Sequence, residues 1–414
     1  MVNLRPRHAG AVEYRAWNPR WWLLMVVVAA LIGIAIGTTV GMATGSGPAG
    51  KQEYKLWRWE ADTAVHTAFS ILGIGSTTDD AGSEALIEYF RLTSDLRAAL
   101  EAAEPDAALV DALANERSAY ENDVERVLER YLTEAIGSAG LKERLPLFRG
   151  VSITWPPAGL ELTSPPRLLV ISPRDAIRRD SDTLLKNDLS LGQIEAIERR
   201  ADSDRQVSIV VAVGGIAAYP AIVRDDRAYD SILETSAHEW VHHYLAFYPL
   251  GLQWSKGGAG HTLNETTANI AGREIANLVH RAHPVDLPAG ADGRSPAGPA
   301  PTVNFSEELR KLRLEVDALL AEGKVDEAER TMEERRLFLA ENGINIRKIN
   351  QAYFAFYGTY ADSPASSDPI GPKIERVWQL TGDVGQFLRM MREVTSEADL
   401  DGLLDVLEAA ATGE

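Results

Sequence analysis

The sequence predicts an α+β protein: a small mixed sheet carries a pair of functional helices, and further helical regions flank that unit. Three observations lead there. Helical periodicity dominates both ends of the chain, and two β-rich runs, residues 167–171 and 207–213, lie between them. After the second run comes His238-Glu239-Trp240-Val241-His242, an H-E-x-x-H spacing inside a helical pattern. The 414 residues, 45% of them hydrophobic, suffice for two or three domains with real cores. There are no cysteines, which excludes disulfides, thiolate metal sites and a Cys nucleophile and leaves His and carboxylates as the strong metal ligands. A net charge of -18 argues against nucleic acid as a partner, because neutralising phosphates needs clustered Lys and Arg.

In chain order, residues 1–20 read as a cytoplasmic tail and residues 21–43 as a single transmembrane helix. Residues 21–42 form an uncharged run of 22, long enough to cross a hydrocarbon core of ~30 Å. Arg5, Arg7, Arg15 and Arg20 against Glu13 place the N-terminus in the cytoplasm and the rest of the chain outside the membrane, with Trp17, Trp21 and Trp22 as an interfacial anchor. Gly41-Met42-Ala43 also fits a signal-peptide cleavage site, but the apolar run exceeds the usual length of such a leader. Residues 44–149 are predicted helical. Ser83 is expected to cap a helix carrying Leu86, Ile87, Phe90, Leu92, Leu96 and Leu100, and Pro105 opens a second with Leu109, Leu113, Val124, Val127, Leu128 and Leu132.

A Pro-, Gly- and Trp-rich stretch then marks entry into a core spanning residues 150–285. Residues 167–171 and 207–213 read as strands with a helix over 190–201 between them. Gly214-Gly215 predicts a two-residue turn, with residues 216–223 returning as a hairpin partner that Pro220 confines to a sheet edge. Residues 230–248 form the H-E-x-x-H helix, capped by Asp230 or Ser231 and stopped by Pro249 and Gly251. A second functional helix starts at Asn264 and ends near His280. Residues 286–304 are a Pro/Gly/Ala linker, and residues 305–414 a C-terminal helical region that opens with an αα-hairpin broken at Gly323.

On a helix, residues four apart share a face, so His238 and His242 can reach one ion while Glu239 sits beside it without ligating. Two neutral imidazoles holding Zn²⁺, with an open position for water and a carboxylate to take its proton, is what metal-assisted hydrolysis needs. With 8 His in the chain, chance would produce the motif in roughly one such chain in a hundred. A third ligand is required, and Asn264-Glu265-Thr266-Thr267-Ala268-Asn269 supplies Glu265. Asn269, one turn further on, can accept the outer N–H of a ligating His. Glu274 is the rival ligand, but nine residues put it on the opposite face from Glu265. His243 points about 100° away from His242 and is read as second shell or packing. His261 is read in a Gly-rich loop, as a substrate-side donor or as no part of the site.

H-E-W-V-H followed by N-E-T-T-A-N resembles the gluzincin metallopeptidases, and the run from Glu234 to Glu274 also resembles a group of uncharacterised membrane-anchored bacterial proteins. The likeness covers residues 150–285. It implies a zincin-like core, a His-His-Glu zinc site, Glu239 as general base, a peptide or protein substrate, and an edge strand before the H-E-x-x-H helix that holds an extended peptide. The alternative for that strand is an ordinary sheet edge. Asn269 stands where the thermolysin-like pattern has Asp, which leaves the ligating His less basic. The resemblance also calls for a Tyr or His that hydrogen-bonds the oxyanion. Tyr353 and Tyr360, in an aromatic-rich run, are the candidates; the alternative is a helix packed by aromatics against the metal unit. The sequence thus predicts a membrane-anchored zinc metallopeptidase acting outside the cytoplasmic membrane. The alternative from another class is a non-catalytic, membrane-tethered scaffold with a structural or vestigial zinc site.

Overall fold

The apolar spacing of residues 79–138 is satisfied by three helices, not the expected two, in a computed structural model that describes residues 47–56, 59, 79–144, 152–293 and 303–412. Helix α1 (Asp79–Glu101) starts before Ser83, so Ser83 lies inside it and does not cap it. Pro105 does precede a helix start: the Asp106 carboxylate caps α2 (Ala107–Ser118) by accepting from the N–H groups of Ala108 and Leu109. A break at Ala119-Tyr120 separates α2 from α3 (Glu121–Ser138). Leu86, Phe90, Leu92, Val124, Val127, Leu128 and Leu132 enter the core as expected. Leu100 and Leu109 do not; both are about half exposed.

The fold is mixed α+β, mostly helical with small sheets. After the two-stranded ribbon β1 (Lys142–Arg144) and β2 (Ser152–Thr154) comes β3 (Leu160–Leu162), and then β4 (Arg167–Pro173) at the centre of an antiparallel sheet. Its neighbours are β5 (Ser181–Leu185) and β6 (Gln206–Ala212), with Leu169 opposite Val210. Helix α4 (Leu191–Ala201), capped by Ser190 and Gln193 in a reciprocal box, links β5 to β6. Alternate residues of the sheet point to opposite faces. Leu169, Ile171 and Val210 pack on Ile194 and Ile197 of α4, while Leu168, Val170, Ile209 and Val211 share a core with Leu312, Val316, Met332 and Phe354. Both faces are covered, which is why β4 reads as an unbroken apolar run.

The expected hairpin across Gly214-Gly215 does not form. Instead β7 (Gly215–Ile216) and β8 (Ala221–Val223) leave the first sheet and build a second one, with β8 parallel to β3 and antiparallel to β7. The cause is visible at Gly215, where a Cβ would come within 2.5 Å of the Glu239 carboxylate and 2.9 Å of the Thr235 methyl. Only a glycine lets this strand lie flat along the H-E-x-x-H helix.

That helix, α5 (Tyr229–Leu245), packs against α6 (Gly258–Ala282) in the main core. A turn of 3-10 helix, Gly251–Lys256, joins them. The αα-hairpin forms as predicted from α7 (Phe305–Ala321) and α8 (Val325–Glu341), reversing at Gly323 with φ 74°. Helix α9 (Gln351–Tyr357) follows. Three further helices follow, α10 (Ile370–Thr381), α11 (Val384–Met391) and α12 (Glu397–Thr412), and Ile374, Phe387 and Leu400 bury into the core shared with α5 and α6.

The expected membrane placement must be corrected. Among the described residues no helix is long and apolar enough to cross a membrane; the 25-residue α6, for example, carries Arg273, Glu274, His280 and Arg281. The expected tail and span, residues 1–43, lie outside the described residues.

Candidate metal centre

The fold fixes α5 before any ligand is considered. Ile232, Leu233, Ala237, Trp240, Val241 and Leu245 are buried, and the indole N–H of Trp240 donates to the Pro156 carbonyl at 2.8 Å. Truncating such a side chain costs about 3–5 kcal/mol. The expected Asp230 or Ser231 cap is not used: Ala228 is the N-cap, and the first free N–H groups, of Tyr229 and Asp230, donate to the carbonyls of Ala291 and Asp292. Gly272 brings α6 into contact with the ligand helix, since a Cβ there would lie 2.9 Å from the His238 backbone nitrogen. Helix α6 begins at Gly258, well before the expected Asn264, and places Glu265 in its second turn.

His238, His242 and Glu265 converge. The two Nε2 atoms are 3.0 Å apart, and Glu265 Oε2 lies 3.5 Å from that of His238 and 3.4 Å from that of His242. A tetrahedral ion with bonds of about 2.0–2.1 Å needs ligand atoms about 3.3 Å apart, so this triangle fits zinc's coordination shell on three corners. No other group of three or more His, Asp or Glu among the described residues could hold a metal ion. Two imidazoles and a carboxylate suit zinc and also other first-row dications.

The charges agree with such a site. Burial opposes ionisation of Glu265, but the imidazoles and their hydrogen bonds outweigh it and hold the carboxyl well below its usual range. Burial also pulls His242 down, yet Glu265, with help from Glu239 and Asn264, lifts it to about 9. With no metal, a proton balances the carboxylate. Glu239 is 6% exposed and its pKa is raised by burial; a dication beside it acts in the opposite direction.

The surrounding residues divide differently from expectation. Asn264, not Asn269, meets His242: its Oδ1 lies 2.8 Å from His242 Nδ1 while its Nδ2 donates to the Leu250 carbonyl. In that amide orientation Asn264 accepts from Nδ1–H, which leaves Nε2 facing the cluster, free to ligate once its proton is displaced by an ion. Asn269 points away and donates to Asp362 Oδ2 at 2.6 Å. His243 does not face the cluster either. Its Nε2 donates to the Ala218 carbonyl at 2.7 Å, and burial, only partly offset by that bond, pushes its pKa down to about 4, so it is a neutral tie between α5 and the β7–β8 turn. Glu274 is occupied by Arg273 and Asn277, away from the three ligands.

Tyr353 is buried in the core around β4 and α7, edge to face with Phe354 and tilted against Tyr357. Tyr360 reaches the site: its ring lies 6.1 Å from the His238 ring, and burial with the charges of Glu265 and Glu239 holds its phenol protonated far above the usual value. Two bonds tie the loop of Tyr360 to α6. Thr266 Oγ1 accepts from the Ala361 N–H at 2.9 Å, and Asn269 holds Asp362.

Trp254 escapes the sequence reading, and His261, read as a substrate-side donor or as no part of the site, contacts Glu265 instead. Trp254 donates its indole N–H to Glu265 Oε1 at 2.9 Å, and His261 Nε2 lies 3.2 Å from the same oxygen. His261 carries a signal, being one turn before Glu265 on one face, that becomes legible once the helix is known to start at Gly258. Trp254 carries none. No family model, no curated protein and no solved structure matches the chain.

Proposed function

We propose that the chain is a zinc metallopeptidase of gluzincin type, with residues 150–285 as a zincin-like core. The convergence of Glu265 from α6 on His238 and His242 of α5, the helix that also carries Glu239, at tetrahedral spacing is the observation that carries this reading. When bound, zinc supplies a Lewis acid and brings the pKa of a water toward ~7. Glu239 takes the proton of the attacking water and passes it to the leaving amine nitrogen. Tyr360, neutral because its phenol titrates so high, donates a hydrogen bond to the carbonyl oxygen as that oxygen gains charge.

The second sheet favours an extended peptide as substrate. Its β3 edge is closed, because the N–H groups of Leu160 and Leu162 donate to the carboxyl oxygens of Glu129 and Glu125 at 3.0 and 2.7 Å. The opposite edge is β7, whose Gly215 touches Glu239. A peptide adding to this sheet by main-chain hydrogen bonds therefore adds beside the general base.

Mass spectrometry of a mixed peptide library incubated with zinc-loaded protein tests the reading. Wild type should cleave, and Glu239→Gln should keep its zinc while turnover falls ~10²-fold or more. Cleavage undiminished in Glu239→Gln, with contaminating protease excluded, sinks the mechanism. A wild type that holds zinc and cleaves nothing points instead to a scaffold.

A further inference from the structure

Glu265 is held from two sides. Oε2 faces the imidazoles, while Oε1 meets two donors: the Trp254 indole N–H at 2.9 Å and His261 Nε2 at 3.2 Å. Because a carboxylate oxygen only accepts, His261 Nε2 carries a proton in this contact. Neither donor belongs to the H-E-x-x-H helix. Trp254 lies on the 3-10 turn before α6 and His261 in the first turns of α6, and their rings meet edge to face at 5.2 Å, so each braces the other. Trp254 is 43% exposed, yet its one polar atom is committed inward.

An ionised carboxylate oxygen offers about two lone-pair directions. Two N–H donors on Oε1 use both of them. We propose that Trp254 and His261 are positioning residues that confine Glu265 to ligation through Oε2 alone and so keep the fourth position of the metal site open to water. The proposal rests on the metal reading above. Without the two donors, Glu265 is free to pivot and present both oxygens, and the second would compete for the place of the water.

The full chain loaded with Co²⁺ reads the coordination number directly, because four-coordinate cobalt absorbs visible light more strongly than five- or six-coordinate cobalt. Wild type should give the strong four-coordinate spectrum. Trp254→Phe and His261→Phe should each give a weaker spectrum and lose about 10–100-fold in zinc affinity by chelator competition. His261→Gln keeps an N–H donor and should restore the wild-type spectrum, which a packing role would not predict. Thermal melts of the metal-free proteins separate clamp from scaffold damage: the clamp predicts melts close to wild type without metal and a deficit only with it. Spectra and affinities unchanged in both Phe variants would overturn the clamp and leave the metal site standing. So would a His261→Gln spectrum identical to that of His261→Phe. Failure of wild type to take up cobalt or zinc would instead overturn the metal reading, and the clamp with it.

Discussion

The two regions that meet at the site are built by different means. The histidine pair on α5 is local: His238 and His242 share a face because they are one helical turn apart, and the fold needs only to bury the opposite face. The loop that brings Tyr360 is non-local, joined to α6 through the Ala361 N–H on Thr266 and the Asn269–Asp362 bond, across 95 and 93 residues of sequence. The difference teaches that metal binding and turnover should be separable. On the proposed metallopeptidase reading, damage to α5 or α6 should remove the ion, whereas damage to the loop should leave the ion in place and slow the chemistry.

Tyr360→Phe presses hardest on that distinction, because it deletes one hydroxyl and keeps the ring. Turnover should fall ~10²–10³-fold, the usual effect of losing an oxyanion donor. Zinc content should not change; loss of zinc together with activity would mean that the loop helps hold the metal and the comparison fails. A milder version is Thr266→Val, which removes the acceptor under the Ala361 N–H without changing side-chain shape. Leaving that N–H unsatisfied should cost about 1–3 kcal/mol of stability. Displacement of the loop should lower turnover by about 10-fold, well inside the ~10²-fold that a small misplacement can cause. Kinetics and zinc analysis on the same preparation check both.

The smallest effect lies outside both regions and serves as their control. Burial, with Glu161, Glu121 and Glu129 adding to it and the Leu162 N–H opposing, lifts Glu125 from 4.5 to about 9. The folded protein thus keeps a proton that the unfolded chain releases above its own pKa. Stability from this group is complete below about 4.5 and is lost as pH rises toward 9. Glu125→Gln keeps an acceptor for Leu162 and removes the titration, so it should melt increasingly above wild type from pH 5 to pH 8.5. A gap that narrows with pH would reverse the sign of the argument.

Much of the site was legible because it is periodic. H-E-x-x-H lies on one helix, Glu265 follows on the next, and the αα-hairpin turns at Gly323 as its spacing requires. What was not legible depends on where elements begin and how they cross. Starting α6 at Gly258 puts His261 on the face of Glu265, and the packing of α5 on α6 at Gly272 brings Asn264, not Asn269, to His242. Strand β5 was missed because Ser181, Asp182 and Thr183 are exposed or half-buried and only Leu184 and Leu185 announce it. The β6–β8 hairpin was misread because its turn chemistry is sound. The contact of Gly215 with Glu239 decides the pairing, and no local pattern encodes it.

The central claim is that His238, His242 and Glu265 together hold one metal ion. Elemental analysis with competition titration tests it most directly, on wild type, Glu265→Ala and Glu274→Ala in parallel. The account predicts about one zinc per chain in wild type and in Glu274→Ala, and loss of most of it in Glu265→Ala. Full zinc in Glu265→Ala, with loss in Glu274→Ala, would contradict the ligand set, and a wild type without affinity for zinc or any other first-row dication would contradict the site itself.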